Sequence, residues 1–283
     1  MAPRTSPTLL RRELGGLLRG YREERHLTAV AVAKATYIKP TQISRLETGQ
    51  RPPQELHVQV LCQFYGLDSQ TTEQLMQMAL EAREEGWWDS YDLEEPTEEY
   101  ISLEAAASHI DNFEFTVIPG ILQTRGYATE VVRPVRAAFS EERIAQTVES
   151  RLARQSILTG DSPVQYHAIL DEGVLHRTIG GGRTMRDQLH HLIEVSERPN
   201  VTVQVLPFSA GANPGLDGAF AVLHFTGDLP SAAYTEGQLG QTFQYKPGEV
   251  ERCLRAFRTL ADLAADEETT RQIIRHQISA ITI

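Results

Sequence analysis

Two short helical patterns separated by a tight turn, within residues 27–52, constrain the fold of this sequence more than any other feature. In the first pattern Thr28 is placed to cap a short helix of small apolar residues that ends near Tyr37. The second begins at Pro40, whose fixed φ suits a first helical turn, and ends before Gly49. The apolar residues predicted to pack inward are Ile38, Ile43 and Leu46. The pattern predicts two helices joined by a turn, the second with an exposed polar face.

Three further helices are predicted on either side of this pair. Leucines at spacings of three and four indicate a helix over Thr8–Arg25, with Thr8 as its N-cap. Apolar residues recur at helical spacing over residues 56–64 and again over 75–80. Residues 1–85 are therefore expected to form an all-α domain of five helices.

Charged and polar side chains cover the exposed face of the second helix of the pair. In such an arrangement this helix enters the major groove of DNA, while the helix before it lies across the sugar-phosphate backbone. Gln suits a two-bond contact with adenine and Arg one with guanine, while Lys, Thr and Ser reach phosphates or single base edges. The candidate DNA-binding residues are Thr28, Lys39, Thr41, Gln42, Ser44, Arg45 and Arg51. The alternative is a helical bundle whose exposed helix binds protein.

Glu47 is predicted to be structural, because phosphates repel a carboxylate; we expect it to pair with a nearby arginine.

The segment Ile43-Ser-Arg-Leu-Glu-Thr-Gly-Gln-Arg-Pro52 resembles the signature of the Cro and phage-repressor (XRE) type of helix-turn-helix. The resemblance spans residues 8–66 and implies sequence-specific DNA binding. Three positions depart from it. Tyr37 stands at the usual turn glycine, Lys39 at the usual capping Ser or Thr, and Ala29 at a glutamine that often contacts phosphate.

Charge is distributed unevenly along the chain. Residues 1–66 hold ten Lys and Arg against five Asp and Glu, a balance of +5, whereas the whole chain carries −11. The remainder therefore carries −16, and ten of its carboxylates lie within residues 81–104. A basic module joined to an acidic body fits a protein that meets DNA with one domain.

The acidic segment 86–100 has no regular period and is predicted to be a junction between domains 1–85 and 101–283. Both tryptophans, Trp87 and Trp88, lie in it, and large aromatic side chains in a connector usually dock on something. They serve either as an anchor in a core or as a hot spot for a partner.

Residues 101–283 mix helical and strand-like patterns. Helices are predicted near residues 102–110, 140–158 and 183–197 and from 249 onward. Short runs rich in β-branched or aromatic residues predict strands at 113–119, 164–170, 201–206, 219–225, 232–235 and 242–245. The fold class is therefore multidomain, with the five-helix domain followed by an α+β domain that has a mixed or antiparallel sheet.

Several segments of this second part resemble actinobacterial transcription regulators that fuse the same type of helix-turn-helix to a C-terminal domain of uncharacterised function. They include Gly86-Trp-Trp88, Val117-Ile-Pro-Gly-Ile-Leu-Gln-Thr124, Arg151-Leu-Ala-Arg-Gln155 and Val203-Gln-Val-Leu-Pro-Phe208. The resemblance implies regulators of development or secondary metabolism, which often act with small partner proteins.

A candidate ligand or partner site comes from a helix face in the second domain. Arg151, Arg154 and Gln155 are spaced i, i+3, i+4, so two cations and an amide share one face. Together with Glu172, Glu236 and the loop 211–215 they form either a polar cleft or an internal salt-bridge network.

No catalytic residue, metal site or cofactor is predicted. The sequence has no HExxH pattern and no Cys/His cluster, and the neighbours His190 and His191 cannot share one helical face. Glu172 and His176 are spaced for a surface hydrogen bond, which is commoner than acid–base catalysis. The two cysteines, Cys62 and Cys253, lie in apolar helical patterns that favour buried thiols without a redox role. We expect a protein that is not an enzyme.

These features favour a homodimeric transcription regulator whose C-terminal domain receives a small-molecule or protein signal. The dimer is expected because a single recognition helix makes few contacts with double-stranded DNA. The alternative is a protein-interaction module that works with a small partner, as in a toxin–antitoxin-like or developmental regulator complex. The sequence has no signal segment and no membrane-spanning run, so the expected location is the cytoplasm, on the nucleoid when bound to DNA.

Overall fold

The computed structural model describes residues 6–91, 93, 95–135, 138–227, 229–238 and 240–282. The chain divides into two compact units, one ending at Asp89 and the other beginning at Ser90. Within the described ranges, no helix is long and apolar enough to cross a membrane.

The first unit is helical, as predicted. Its α-helices are α1 (Pro7–Glu24), α2 (Ala29–Thr36), α3 (Pro40–Glu47), α4 (Glu55–Tyr65) and α5 (Ser69–Glu81). Thr28 caps α2 as expected, because its hydroxyl accepts a hydrogen bond from the Ala31 N–H at 3.1 Å. The predicted cap of α1, Thr8, is wrong. Ser6 caps that helix instead, since Pro7 has its φ already set for the first helical position.

The core of this unit draws one apolar face from every helix. Leu14 and Leu18 of α1 and Ile43 of α3 are completely buried, and Leu61 of α4 is buried beside them. Apolar residues at helical spacing therefore converge on one cluster, which fixes the angles between the helices.

Helix α1 approaches the end of α3 closely enough that only glycine fits at the contact. A Cβ atom at Gly15 would lie 2.4 Å from the carbonyl oxygen of Leu46 and 2.8 Å from that of Glu47. Gly49, just beyond α3, has a φ of 67°, and a Cβ there would lie 2.9 Å from the backbone of Arg12. Backbone therefore packs directly on backbone at the C-terminal end of α3.

The second unit is an α+β domain. Its helices are α6 (Glu95–Ala106), α7 (Arg125–Val135), α8 (Glu141–Arg154), α9 (Gly173–His176), α10 (Gly181–Ser196), α11 (Pro247–Leu263) and α12 (Glu267–Ala280). Its strands are β1 (His109–Glu114), β2 (Gln165–Asp171), β3 (Val201–Leu206), β4 (Phe220–His224), β5 (Ala232–Gly237) and β6 (Gly240–Gln244).

The six strands form one mixed sheet in the order β3-β2-β1-β4-β5-β6. Strand β1 is parallel to β2 and antiparallel to β4, and β2 is parallel to β3. The strands from β4 to β6 are antiparallel, with β5 and β6 joined as a hairpin. This agrees with the predicted α+β class and places β1 in the interior of the sheet.

Helix α11 covers part of one face of the sheet. Its Phe257 and Leu260 pack in one apolar cluster with Phe113, Ile169 and Val222 from three neighbouring strands. This cluster anchors α11 to the sheet.

The predicted boundaries around β1 are wrong. The helix expected at 102–110 is α6, which starts at Glu95, inside the segment expected to be an irregular junction, and ends at Ala106. The strand expected at 113–119 is β1, which runs from His109 to Glu114. Its start was missed because the buried polar residues Asp111 and Asn112 interrupt the apolar pattern. Helix α7 was not predicted.

We expect Gly15→Ala to lower the free energy of unfolding by about 1–3 kcal/mol, because the added methyl group overlaps backbone atoms of α3 that cannot move aside. The matched control is Gly16→Ala in the same helix. A Cβ there meets nothing within 4 Å, so the better helix propensity of Ala should raise stability by up to about 1 kcal/mol. Urea denaturation followed by circular dichroism measures both; shifts of the same sign would contradict the close contact.

Candidate functional site

The outward face of α3 presents the polar side chains predicted to meet DNA. Thr28, at the start of α2, is exposed, and so are the candidates on α3 and at its two ends: Lys39, Thr41, Gln42, Ser44, Arg45 and Arg51. Between them Ile43 and Leu46 point into the core and are buried. The helix therefore separates an anchoring face from a face that is open to a partner.

Gln42 closes the N-terminal end of α3. Its side-chain oxygen accepts a hydrogen bond from the backbone N–H of Lys39 at 3.2 Å. This is the reciprocal half of a capping box, whereas the Gln42 N–H, which a hydroxyl at position 39 could bind, donates to the Lys39 carbonyl oxygen at 2.9 Å. The bond from the Lys39 N–H occupies one of the two lone pairs of the Gln42 side-chain oxygen and leaves its NH2 group available to a partner.

A buried ion pair holds α3 against α1. The Arg22 guanidinium donates to both carboxylate oxygens of Glu47, with Nε–Oε1 at 2.6 Å and Nη2–Oε2 at 2.8 Å. Its Nη1 donates to the carbonyl oxygen of Leu27 at 2.8 Å, which adds the α1–α2 connection. The two side chains are only 12% and 6% exposed. Glu47 is therefore structural, as predicted.

Tyr37 occupies the turn between α2 and α3 in a strained conformation. Its φ is 60°, in the left-handed region, and 95% of the residue is exposed. A non-glycine residue there costs about 1–2 kcal/mol, and the exposed ring recovers little of it by packing. The turn keeps the geometry of the usual glycine despite the substitution.

In the second unit a cavity of about 180 Å³ opens beside β1. Its lining combines aromatic rings from α6, β2 and β5 with charged groups from β1, α8 and β5. The main polar side chains lining it are Tyr100, Asn112, Glu114, Arg143, Arg151, Arg154, Tyr166, Tyr234 and Glu236. Such a mixture of apolar walls and a few convergent polar groups is typical of small-molecule sites.

Arg154 is neutralised within the cavity wall. Its Nε and Nη2 donate to the carboxylate of Glu104 at 2.7 and 2.8 Å, and Glu104 is only 1% exposed. The guanidinium also lies 5.2 Å from the centre of the Tyr100 ring. The sequence left open whether Arg154 belongs to a polar cleft or to an internal salt-bridge network. The structure shows that it forms an internal ion pair.

Two carboxylates supply the acidic side of the cavity. Burial raises the pKa of Glu114 to about 8, and the charge of Glu236 adds to this rise, whereas a hydrogen bond from Asn112 and the charge of Arg151 oppose it. The hydroxyl of Tyr234 donates to Glu236 Oε2 at 2.9 Å. Near neutral pH Glu114 can therefore act as either a hydrogen-bond donor or an acceptor.

Arg151 and Gln155 share one partner in the segment before α7. Arg151 Nη1 donates to Gln123 Oε1 at 2.8 Å, and Gln155 Nε2 donates to the Gln123 carbonyl oxygen at 2.7 Å. Gln123 itself is buried. This network orients Arg151, which lines the cavity, whereas Gln155 is not among the lining residues.

The structure brings Arg151, Arg154 and Glu236 together in the cavity lining, but it places Glu172 elsewhere. Glu172 is not among the residues that line this cavity. Its carboxylate accepts a hydrogen bond from the Phe208 N–H at 2.7 Å, which ties the end of β2 to the segment after β3. The loop 211–215 is not part of the described lining either, and its Gly215 packs on the ring of Phe113.

The tryptophan pair lies in a short 3-10 helix, Trp87–Ser90, with the two rings edge to face at 5.7 Å. Trp88 is 7% exposed, as suits a core anchor, whereas Trp87 is 37% exposed.

Sequence reasoning missed a cluster formed by His109, Asp111 and His224. The spacing of the first two residues, i and i+2, was the available signal, but the helix predicted at 102–110 includes His109 and ends before Asp111. His224 joins them only through the pairing of β1 with β4.

Comparison with protein families matches both units. Residues 13–75 match a family described as a helix-turn-helix domain, which supports a DNA-binding regulator. Residues 97–276 match a family described as a domain of unknown function, DUF5753. No curated protein and no solved structure matches the chain.

We expect Tyr37→Gly to raise the free energy of unfolding by about 1 kcal/mol, because glycine adopts a φ of 60° without steric cost. Tyr37→Ala is the control, since it removes the ring but keeps the strain, and its stability should stay within about 0.5 kcal/mol of wild type. Thermal unfolding of the three proteins measures the effect. Equal stabilisation by Ala and Gly would show that the ring, not the backbone, is unfavourable.

Glu114→Gln should change how stability depends on pH. The pKa of Glu114 is raised from 4.5 to about 8 on folding, so wild type is destabilised progressively as pH rises between these values. The variant has no such loss, and its stability relative to wild type should increase by more than about 1 kcal/mol from pH 6 to pH 9.

Glu268→Gln is the control for this comparison, because an ion pair with Arg271 lowers the pKa of Glu268, which is then ionised in both states throughout that range. Its stability relative to wild type should not change from pH 6 to pH 9. Parallel pH profiles for Glu114→Gln and wild type in urea denaturation would contradict the raised pKa.

Proposed function

We propose that this chain, which belongs to the family of the domain of unknown function DUF5753, is a sequence-specific transcription regulator that binds double-stranded DNA as a homodimer. The observation that carries the proposal is the exposed polar face of α3 within a helix-turn-helix domain. Gln42 and Arg45 are the side chains on that face suited to reading bases.

Rigidity of α3 supports this role. A recognition helix discriminates sequences only if its side chains are held in one orientation against the groove. The Arg22–Glu47 pair and the contact at Gly15 both act on the C-terminal half of α3. The N-terminal half, with Lys39, Thr41 and Gln42, is left exposed, where a helix of this kind approaches base edges.

The homodimer rests on the small size of the reading surface. Helix α3 has eight residues, so one copy contacts few base pairs, and a two-fold pair of copies doubles the site. The acidic remainder of the chain, at −16, repels DNA and opposes binding by a single +5 module.

The second unit is proposed to receive the signal, and we assign it a binding role rather than a catalytic one. Its cavity suits a small molecule with both polar and aromatic parts, because tyrosine rings, carboxylates and Arg151 line the same space. A protein that inserts a side chain into the cavity is the other form of signal.

The test is a DNA-binding titration with the full-length protein. Genomic fragments retained by the protein supply a preferred sequence, and fluorescence anisotropy compares it with a scrambled duplex over a range of salt concentrations. We expect affinity to fall steeply with salt. Arg45→Ala should weaken binding to the preferred sequence by about 10- to 100-fold and relax its preference.

Arg258→Ala is the matched control, because it removes one exposed positive charge from the second unit. It should leave the preference for the selected sequence unchanged. If Arg45→Ala and Gln42→Ala both keep the wild-type preference, direct readout by α3 is wrong.

Sedimentation of the complex gives the stoichiometry, and one chain per site would refute the homodimer. A stoichiometric co-purified protein without DNA binding would favour the interaction module.

A further inference from the structure

Three side chains able to ligate a metal meet on the sheet of the second unit, apart from the cavity lining. They are His109, Asp111 and His224, called here the His–Asp–His cluster. Their nitrogen and oxygen ligand atoms all lie within 4.8 Å of one another. The proposed function uses none of them.

The sheet itself positions the cluster. His109 of β1 and His224 of β4 are directly opposite in the antiparallel register, and Asp111 follows His109 by two residues. Side chains two residues apart on a strand share a face, as do directly opposed residues on neighbouring strands. Three ligands therefore converge on one face without any flexible loop.

The ligand atoms are held together by hydrogen bonds. His109 Nε2 is hydrogen-bonded to Asp111 Oδ1 at 2.7 Å, and His224 Nε2 to Asp111 Oδ2 at 3.1 Å. Ligands held at about 2.0–2.1 Å from one tetrahedral ion are about 3.3 Å apart, so small rotations of the side chains make room for it.

Ser231 provides the supporting contact that metal-binding histidines usually have. Its hydroxyl oxygen lies 3.0 Å from His224 Nδ1. When the hydroxyl accepts a hydrogen bond from Nδ1–H, Nε2 carries the lone pair, which faces the cluster. The hydroxyl can equally donate, so the same contact is satisfied with and without a metal.

The side chains of the cluster differ in their exposure to solvent. The side chain of Asp111 is 12% exposed, whereas that of His109 is 41% exposed. The carboxylate is thus shielded from solvent, while the His109 side leaves a route for an ion and space for a water ligand. A further histidine on the next strand, His167, is held away by Gln204, whose Oε1 lies 2.7 Å from His167 Nε2.

We propose that the His–Asp–His cluster binds a divalent transition metal ion of the Zn²⁺ type through His109 Nε2, Asp111 and His224 Nε2. Two imidazoles and one carboxylate suit such an ion, whereas Mg²⁺ and Ca²⁺ prefer oxygen ligands alone. The bound ion cross-links β1 to β4. This site, which the sequence did not predict, is independent of the DNA-binding proposal.

The first experiment measures binding directly. Full-length protein without an affinity tag, freed of metal by a chelator, is titrated with Zn²⁺ by calorimetry and with Co²⁺ by absorption. We expect one saturable Zn²⁺ site per chain, visible Co²⁺ bands of a four- or five-coordinate ion, and no intense near-ultraviolet band of the kind that thiolate ligation produces. Mg²⁺ should not compete.

Variants assign the site. The double variant His109→Ala/His224→Ala should weaken Zn²⁺ binding by at least about ten-fold. The matched control, His190→Ala/His191→Ala, removes two imidazoles from α10 and should bind as wild type does. Ser231→Ala keeps all three ligands and should weaken binding by about ten-fold or more, which tests the cluster even if the double variant does not fold.

The proposal is overturned if wild type shows no saturable Zn²⁺ binding, or if both double variants bind Zn²⁺ equally. A near-ultraviolet thiolate band with Co²⁺ would also overturn it, because the ligands would then include Cys62 or Cys253. Thermal unfolding adds a second readout: Zn²⁺ should raise the midpoint of wild type and of the α10 control, but not that of His109→Ala/His224→Ala.

Discussion

The buried ion pair between Arg22 and Glu47 determines the geometry of the proposed DNA-reading surface. Removing one partner of such a pair destabilises a protein by about 3–5 kcal/mol, because the remaining charge is left without compensation. The backbone contacts at Gly15 and Gly49 act at the same end of α3. The helix is therefore clamped by its C-terminal half, and the residues that approach bases do not have to contribute to its attachment.

One strand accounts for both candidate sites of the second unit. Side chains alternate along β1, so His109 and Asp111 share one face and Asn112 and Glu114 the other. The first face carries the His–Asp–His cluster and the second contributes to the cavity. An interior strand with polar groups on both faces is unusual for a sheet core, where such groups are buried only with partners. Here Tyr166 donates to Asn112, and the two histidines contact Asp111.

Local patterns predicted the helices of the first unit and strands such as β3, because spacing and turn residues mark both within a few positions. The same patterns failed at β1, whose central polar residues resemble a loop until their partners are known. Glu104 and Arg154 are 50 residues apart, and nothing in either segment encodes their pairing. His109 and His224 meet only through the register of β1 and β4. Arg151 and Arg154 were predicted to share a face because helical spacing is local. The position of Glu172 depends on the contact between the end of β2 and the segment after β3, which no local pattern encodes.

The bond between Gln42 and the Lys39 backbone bears on how strictly a DNA site is read. A glutamine without such a bond is left unsatisfied opposite the wrong base, and that loss produces discrimination. Gln42 can keep its bond to the Lys39 N–H whichever base it faces, so a mismatch leaves less of its hydrogen-bonding capacity unsatisfied. On the proposed interface Gln42 should therefore discriminate weakly between bases and Arg45 strongly. The DNA sites bound by this chain should then vary at the base pair that Gln42 contacts and agree at the base pair that Arg45 contacts.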